Sequence, residues 1–290
     1  MGIAFQRVIV LMLENSTRAN VMDNHYMNAL RRKGVFMSNS YGVTHSSQPN
    51  YIHAVAGDSF GLYNDTQGYV QWIYSTGNYP VTSIVDLLEA QGLTWKAYAE
   101  DLPPNYTQQA VAGFPNTIPP DEGVFARKHV PFLSFPNIVT NPDRVARIVN
   151  ASEFENDLAA GTLPRFSWYT PNLINDGHSL GPGEAKKDPT DADRHTNIRN
   201  IEKFLKGFLG DDPIAKFPPE TLIVITFDEA YPYHDPYEIY SLLIGDMLPA
   251  GTTRSEPCNH YSLLRSIEVN FGLGSLKRND AVAQPYWFLR

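Results

Sequence analysis

The chain has 290 residues, 42% of them hydrophobic and 19% charged, with a formal net charge of -8. This composition excludes a disordered, collagenous or coiled-coil protein. The length suits one large α/β domain or two small ones, and it can bury roughly three quarters of the unfolded surface without staples. The longest basic cluster is Arg31-Arg32-Lys33, so a general nucleic-acid binder is disfavoured, although a bound metal would let an acidic protein take an anionic substrate. The single cysteine, Cys258, allows no intrachain disulfide, no CxxC pair and no Cys-rich zinc site.

In chain order, the β-branched apolar run Arg7–Leu13 reads as a buried strand that stops at Glu14-Asn15. Its aliphatic part, residues 8–13, is far short of the ~20 residues that span a bilayer. It is followed by no small-residue cleavage site. Residues 48–57 predict a short helix, with Pro49 in its first turn and Gly57 closing it. Residues 83–92 predict a clearer one, with an S-x-x-D cap at Ser83 and Asp86 and a stop at Gly92. Strands are predicted at residues 93–98, 166–170, 221–227 and 239–244. Helical faces follow from Ile198, Ile201, Leu205 and Phe208, and from Leu263, Leu264, Ile267 and Phe271. Strands alternating with helices imply a mostly parallel central sheet with helices on both faces. Residues 63–79 and 103–135 lack periodicity and read as long loops near the site.

Four features carry chemistry. The first strand ends in Glu14-Asn15, and the strand at residues 221–227 ends in Asp228-Glu229. Ligands of open α/β sheets bind outside such carboxyl ends. Four oxygen donors there suit one divalent cation of the Mg, Ca or Mn kind, with Zn allowed. The bland alternative is acidic residues that open solvent loops. In Thr44-His45-Ser46-Ser47-Gln48-Pro49-Asn50-Tyr51, a serine at a helix N-terminus meets free N–H groups and the helix dipole. It is either a nucleophile whose oxygen a metal would acidify, or an N-cap. Asp176 and His178 follow a strand and suit a second metal, hydrogen bonds to a substrate oxygen, or a plain polar turn. His260 opens a helix. His53 lies within an apolar helix and reads as structural. His25, His195 and His234 have no distinctive spacing, and Lys128-His129 offers positive charge to an anion. Sequons at Asn15, Asn64, Asn105 and Asn150 exceed the about two expected by chance and point towards a secreted or periplasmic protein.

Seven strings connect these features: VIVLMLEN, HSSQPNYIHAVAG, TWKAYAEDLP, KHVPFLSF, WYTPNLINDGHS, TFDEA and NHYSLLRSIEVNFGL, running from residue 8 to residue 273. In this order they resemble the metal-dependent phosphoesterase family of bacterial phospholipases C and acid phosphatases, within the alkaline-phosphatase-like superfamily. The resemblance implies metal ligation by Glu14, Asn15, Asp228, Glu229 and the oxygen of Ser47. It also makes Ser47 the nucleophile. Asp176, His178 and His260 resemble groups lining the phosphate and leaving-group side, and His129 belongs to the matching KH-x-PF string. Ser46 stands where the family often has proline, and Asp228-Glu229 replaces the Asp-Asp pair of other members. Phospholipase members are commonly longer, so residues 1–290 look like one minimal catalytic domain.

The implied function is a metal-dependent phosphoric ester hydrolase, foremost an acid phosphatase cleaving small phosphomonoesters through a phosphoseryl intermediate. The implied cofactor is one divalent ion, with two allowed, and His178 or His260 serves as proton donor. A phosphodiesterase or phospholipase C on the same site is the nearest rival. Tyr63, Tyr69, Trp72, Ile73 and Tyr74 would form its lipid-facing surface. A sulfatase is disfavoured because Tyr51, not arginine, follows Ser47-Gln48-Pro49-Asn50. A non-catalytic, metal-dependent binding protein is the alternative of another class.

Overall fold

The computed structural model describes residues 4–65, 69–70, 81–114, 121–181, 190–232, 237–286 and 288. Among them are the strands β1 (Arg7–Leu13), β2 (Val35–Met37), β3 (Ser40–Tyr41), β4 (Trp95–Ala99), β5 (Ile148–Asn150) and β6 (Phe166–Thr170). They continue with β7 (Thr221–Phe227), β8 (Glu238–Ile239), β9 (Ser241–Ile244), β10 (Thr252–Arg254) and β11 (Cys258–Asn259). Eight form one sheet in the order β10-β2-β9-β7-β1-β6-β4-β5, and three form a small second sheet, β11-β3-β8. In the large sheet β9 pairs antiparallel with both neighbours, and every other adjacent pair is parallel. The expected mostly parallel sheet is therefore present, with one reversed strand inside it.

Strand β1 is the centre of this layer. Val8, Val10 and Met12 point into the apolar cluster on one face, and Ile9, Leu11 and Leu13 into the cluster on the other. A strand buried on both faces must be apolar throughout, which is why β1 reads as an unbroken run rather than an alternation. The helices Ser47–Ala56, Ile84–Ala90 and His260–Phe271 contribute buried residues to the first cluster. The Asp191–Leu209 and Ser152–Ala159 helices contribute to the second. Ile198, Ile201, Leu205 and Phe208 are all buried on that long helix, as their spacing predicts.

Several boundaries differ from expectation. The helix expected at residues 83–92 spans Ile84–Ala90, and Ser83 N–H donates to the Asp86 carboxylate at 2.8 Å. Strand β4 starts two residues later than expected, because Leu93 N–H turns back to the carbonyl of Leu88 and closes the helix. The run 239–244 is not one strand. The Tyr240 side chain is buried and its hydroxyl donates to the Met27 carbonyl at 3.1 Å, between β8 in the small sheet and β9 in the large one. The stretch 103–135 is not all loop. It holds the Tyr106–Gly113 helix and the 3-10 turns Arg127–His129 and Pro131–Ser134. Of the proposed lipid-facing residues, Tyr63 is 78% exposed, Tyr69 is buried, and Trp72, Ile73 and Tyr74 lie outside the described residues, as does His234. No helix among the described residues is long and apolar enough to cross a membrane.

Register positions the site. Leu13 pairs with Phe227, and Asp228 N–H donates to the Leu13 carbonyl at 2.9 Å, so Glu14 and Asp228 leave the sheet side by side. Leu11 of β1 is fully buried. Leu11→Ala is expected to lower the unfolding free energy by about 2–5 kcal/mol, measured by urea denaturation.

Candidate active site

Four segments converge at the carboxyl ends of β1, β6 and β7. Glu14 and Asn15 extend β1, Asp228 and Glu229 extend β7, and the turn after β6 brings Asp176 and His178. Glu14 N–H donates to the Asp176 carbonyl at 2.9 Å, which ties that turn to β1. The fourth segment is the N-terminus of the Ser47–Ala56 helix.

Ser47 is the first residue of that helix and only 2% exposed, and its Oγ donates to Glu14 Oε2 at 3.0 Å. Ser46 occupies the N-cap position with φ 78°, and its hydroxyl caps nothing. Its N–H instead donates to Glu229 Oε2 at 3.2 Å. The two adjacent hydroxyls are thus separated by geometry: Ser47 faces the acidic centre, and Ser46 sits at the strained turn that aims it. Asn50 fixes this turn. Its Oδ1 accepts from Val43 and Thr44 N–H, and its Nδ2 donates to the Thr44 and Ser46 carbonyls. The spacing of Ser47 to Asn50 therefore has a mechanical reason.

Around Glu14 the groups are dense and buried. His129 Nε2 lies 3.0 Å from Glu14 Oε1, an ion-pair contact without hydrogen-bond alignment. His129 Nδ1 is 3.1 Å from Asp176 Oδ2, and its ring stacks on Tyr51 with centroids 5.0 Å apart. His178 Nδ1 is 3.4 Å from Glu14 Oε2 and 2.8 Å from Asn15 Nδ2, which also donates to Glu14 Oε2 at 2.9 Å. Asn15 N–H donates to Asp228 Oδ1 at 3.2 Å. Glu229 Oε2 also contacts His45 Nδ1 at 2.9 Å.

The electrostatics follow from this crowding. Burial pushes the Glu14 carboxyl up, but His129 and His178 outweigh it and hold it well below the usual range. Burial, then Glu14 and Glu229, push Asp228 well above the usual range. Burial, Glu14 and Asp65 push Glu229 up to about 8. Burial alone would lower His129, yet Glu14 and Asp176 raise it to about 9. The cluster holds more negative charge than its own cations offset. Asp228 Oδ2 is buried with no hydrogen-bond donor on it. An oxygen-rich, donor-poor cluster of this kind fits a divalent cation.

All of the expected site residues except His260 face this centre. His260 lies behind it, buried, with Nε2–H donating to the Asp228 carbonyl at 2.6 Å. Burial lowers its pKa to about 4, so it stays neutral there. Glu14, His129 and His178 place donor atoms within 4.8 Å of one another, a nitrogen-containing set that strand-end reasoning did not assemble. His45, Asn50 and Asp65 also have roles that no local pattern marks, although His45 and Asn50 lie within the same string as Ser47. His25 and His195 lie on exposed helix surfaces away from it, and His53 packs edge-on against Tyr261.

Residues 17–274 match the model of the phosphoesterase family. The chain belongs to this family. It is 33% identical to a probable acid phosphatase of Kluyveromyces lactis, over 97% of this chain and 62% of that protein. It is also 33% identical to an acid phosphatase of Aspergillus fumigatus, over 97% of this chain and 58% of that one. The chain thus spans about six-tenths of the length of these relatives. A phosphatidylinositol-3-phosphatase of Mycobacterium tuberculosis is 26% identical over 93% of this chain and 78% of its own length. A protein in the alkaline phosphatase superfamily from Vibrio parahaemolyticus shares the fold, with a TM-score of 0.56 and 14% identity over 95% of this chain and 69% of the other. The chain therefore has the alkaline-phosphatase-like fold that its strings imply.

Two outcomes test the geometry of this site. Gly177 separates Asp176 from His178 at φ +92°, and a Cβ there would meet Ile201 Cδ1 at 2.5 Å. Gly177→Ala is expected to cost at least about 1–2 kcal/mol of stability in thermal melts and to displace His178. His260 has a folded pKa depressed from 6.5 to about 4, so the unfolded chain takes up its proton first. Its penalty is absent above pH 6.5 and grows, on the order of 3 kcal/mol, as the pH falls towards 4. Urea melts of wild type and His260→Gln between pH 4 and 8 should show a shallower acid slope in the variant.

Proposed function

We propose that the chain is a metal-dependent phosphoric ester hydrolase of the acid phosphatase kind, acting on phosphomonoesters through Ser47. The observation that carries this reading is the Ser47 hydroxyl. It is buried at a helix N-terminus and bonded to Glu14 inside a cluster of carboxylates from two adjacent strand ends. A serine held this way, at the positive end of a helix dipole, is arranged for attack on an anion. The names of the relatives support the same chemistry.

Glu14, Asn15, Asp228 and Glu229, with the Ser47 oxygen, are the residues that would hold the cation. The Asn15 amide reaches this centre through Nδ2, on Glu14 Oε2 and His178 Nδ1, and a flip of the amide would present its oxygen to the cation instead. When bound, a divalent ion supplies positive charge against the phosphate and lowers the pKa of the serine hydroxyl. The remaining work falls to the chain. Ser47 Oγ passes its proton to Glu14 Oε2, which already accepts it, and attacks phosphorus in line; the Oγ–P bond forms, the bond from phosphorus to the ester oxygen breaks, and the Glu14 proton then reloads His178, 3.4 Å away. His178, held by Asn15 and by the Asp176 turn, gives the departing oxygen its proton. Water then attacks the phosphoseryl group, releasing phosphate and restoring Ser47. His129, between Glu14 and Asp176, orients Glu14 and lines the phosphate side. His260 acts through its bond to the Asp228 backbone rather than as the donor. Because His260 stays neutral down to about pH 4, that support persists at mildly acidic pH. The half-buried or exposed sequons at Asn64, Asn105 and Asn150 suit an exported protein, whereas Asn15 is committed to the site.

Ser47→Ala should cut turnover of p-nitrophenyl phosphate by at least roughly a thousandfold while leaving the thermal midpoint nearly unchanged. Chelation by EDTA should stop the wild-type reaction, with recovery on adding back a divalent ion. Assays with p-nitrophenyl phosphate and bis-p-nitrophenyl phosphate from pH 4 to 9 separate the outcomes. Chelator-sensitive monoester turnover with an acidic optimum supports the proposal. Preference for the diester replaces it with a phosphodiesterase or phospholipase C. Metal binding without turnover of either leaves a binding protein.

A further inference from the structure

We propose that Lys128, held in place by Asp65, is the specificity residue that selects doubly charged phosphomonoesters over singly charged diesters, an inference that rests on the hydrolase reading above. Lys128 lies in the 3-10 turn Arg127–His129, one residue from the histidine packed on Glu14. Its Nζ donates to Asp65 Oδ2 at 2.8 Å, and its side chain is only 12% exposed. The other oxygen of Asp65, Oδ1, accepts the N–H of Gln48 at 2.9 Å. Gln48 directly follows Ser47. One carboxylate therefore bridges the helix that carries the nucleophile and the turn that carries the ammonium.

Position is reinforced by charge. Burial lowers the Lys128 pKa, but Glu14, Asp65 and Asp228 outweigh it, so the ammonium is held charged by the same cluster that surrounds Ser47. An ammonium has three donors, and among the described residues Asp65 takes one of them. The single bond to Asp65 fixes the ammonium without exhausting its capacity to meet a ligand oxygen. Holding a long, flexible side chain in one place normally costs rotamer entropy, and Asp65 has met that cost before substrate arrives.

The consequence is selectivity by charge. A phosphomonoester carries about -1.5 to -2 at neutral pH and falls towards -1 below its second pKa of about 6, whereas a diester carries a single negative charge throughout, so this selection is strongest near neutral pH and fades as the pH falls. The carboxylates that surround Ser47 repel either anion. One divalent ion offsets only part of that repulsion, and the second charge of the monoester calls for a further cation. Lys128 supplies it as a point charge, the usual way lysine meets phosphate. A diester has an esterified oxygen in place of that charge, so it gains little from the ammonium.

The test compares Lys128→Gln and Lys128→Arg with wild type, all loaded with the same divalent ion, on p-nitrophenyl phosphate and bis-p-nitrophenyl phosphate at pH 7, where the monoester is largely dianionic. Lys128→Gln should lower kcat/KM for the monoester roughly 10- to 100-fold, largely through KM, and for the diester less than about threefold. Lys128→Arg should restore a good part of the monoester rate, and Asp65→Asn should show a smaller loss in the same direction. Equal losses on both esters, or a loss that follows a fallen thermal midpoint, overturn the proposal. If wild type turns over neither ester, the hydrolase reading fails, and titration with inorganic phosphate at pH 7 still decides this one. Tighter phosphate binding by wild type than by Lys128→Gln supports it, and equal binding overturns it.

Discussion

Glu14 is a fully buried carboxylate at the end of a strand that is buried from Val8 onward, and the rest of the site is arranged around that fact. An isolated buried carboxylate is costly, and it persists only with partners. Here the partners come from four directions: His129 from a 3-10 turn, His178 from the turn after β6, Asn15 from its own strand, and Ser47 from a helix start. Each partner is also anchored elsewhere, so the cluster is over-determined rather than loosely assembled.

The register of β1 against β7 brings a second acidic pair to the same level. Burial first, and then the like charge of Glu14, raises Asp228 and Glu229 above ordinary carboxylates, while the histidines beside Glu14 hold it far below. Unequal partners divide one crowded cluster into a firmly ionised carboxylate and two reluctant ones. The same crowding is what a divalent cation would relieve, and it is also what gives a nearby ammonium such as Lys128 its leverage. Stability and chemistry thus draw on one electrostatic imbalance. The backbone is bent to serve it, at Asn15 with φ 54° and at Ser46 with φ 78°, both beside the acidic centre.

Much of this was legible in the sequence wherever a local rule applied. Strands β1, β6 and β7 are apolar runs because both of their faces are covered, and such runs announce themselves. The helix after Ser47 was legible from Pro49 and Gly57. The short strands β2, β5 and β10 were not, since three residues are too few to show a period. The break at Tyr240 was hidden because Tyr240 is as β-prone as its neighbours, and only its buried hydroxyl bond to Met27 marks the change of sheet.

The sequence by itself determined the fold class, the acidic strand ends and the serine at a helix start, because each is set by residues close together along the chain. The string around Ser47 already singled out that serine, but the tertiary structure alone decided that His260 stands behind Asp228 and that His129 and His178 meet on Glu14. It alone joined Asp65 to Lys128, 63 positions apart. These are pairings across the fold, and they depend on strand register and on where loops return. Local propensity carries no record of either, so the chemistry of the site became readable only once the sheet had aligned the ends of its central strands.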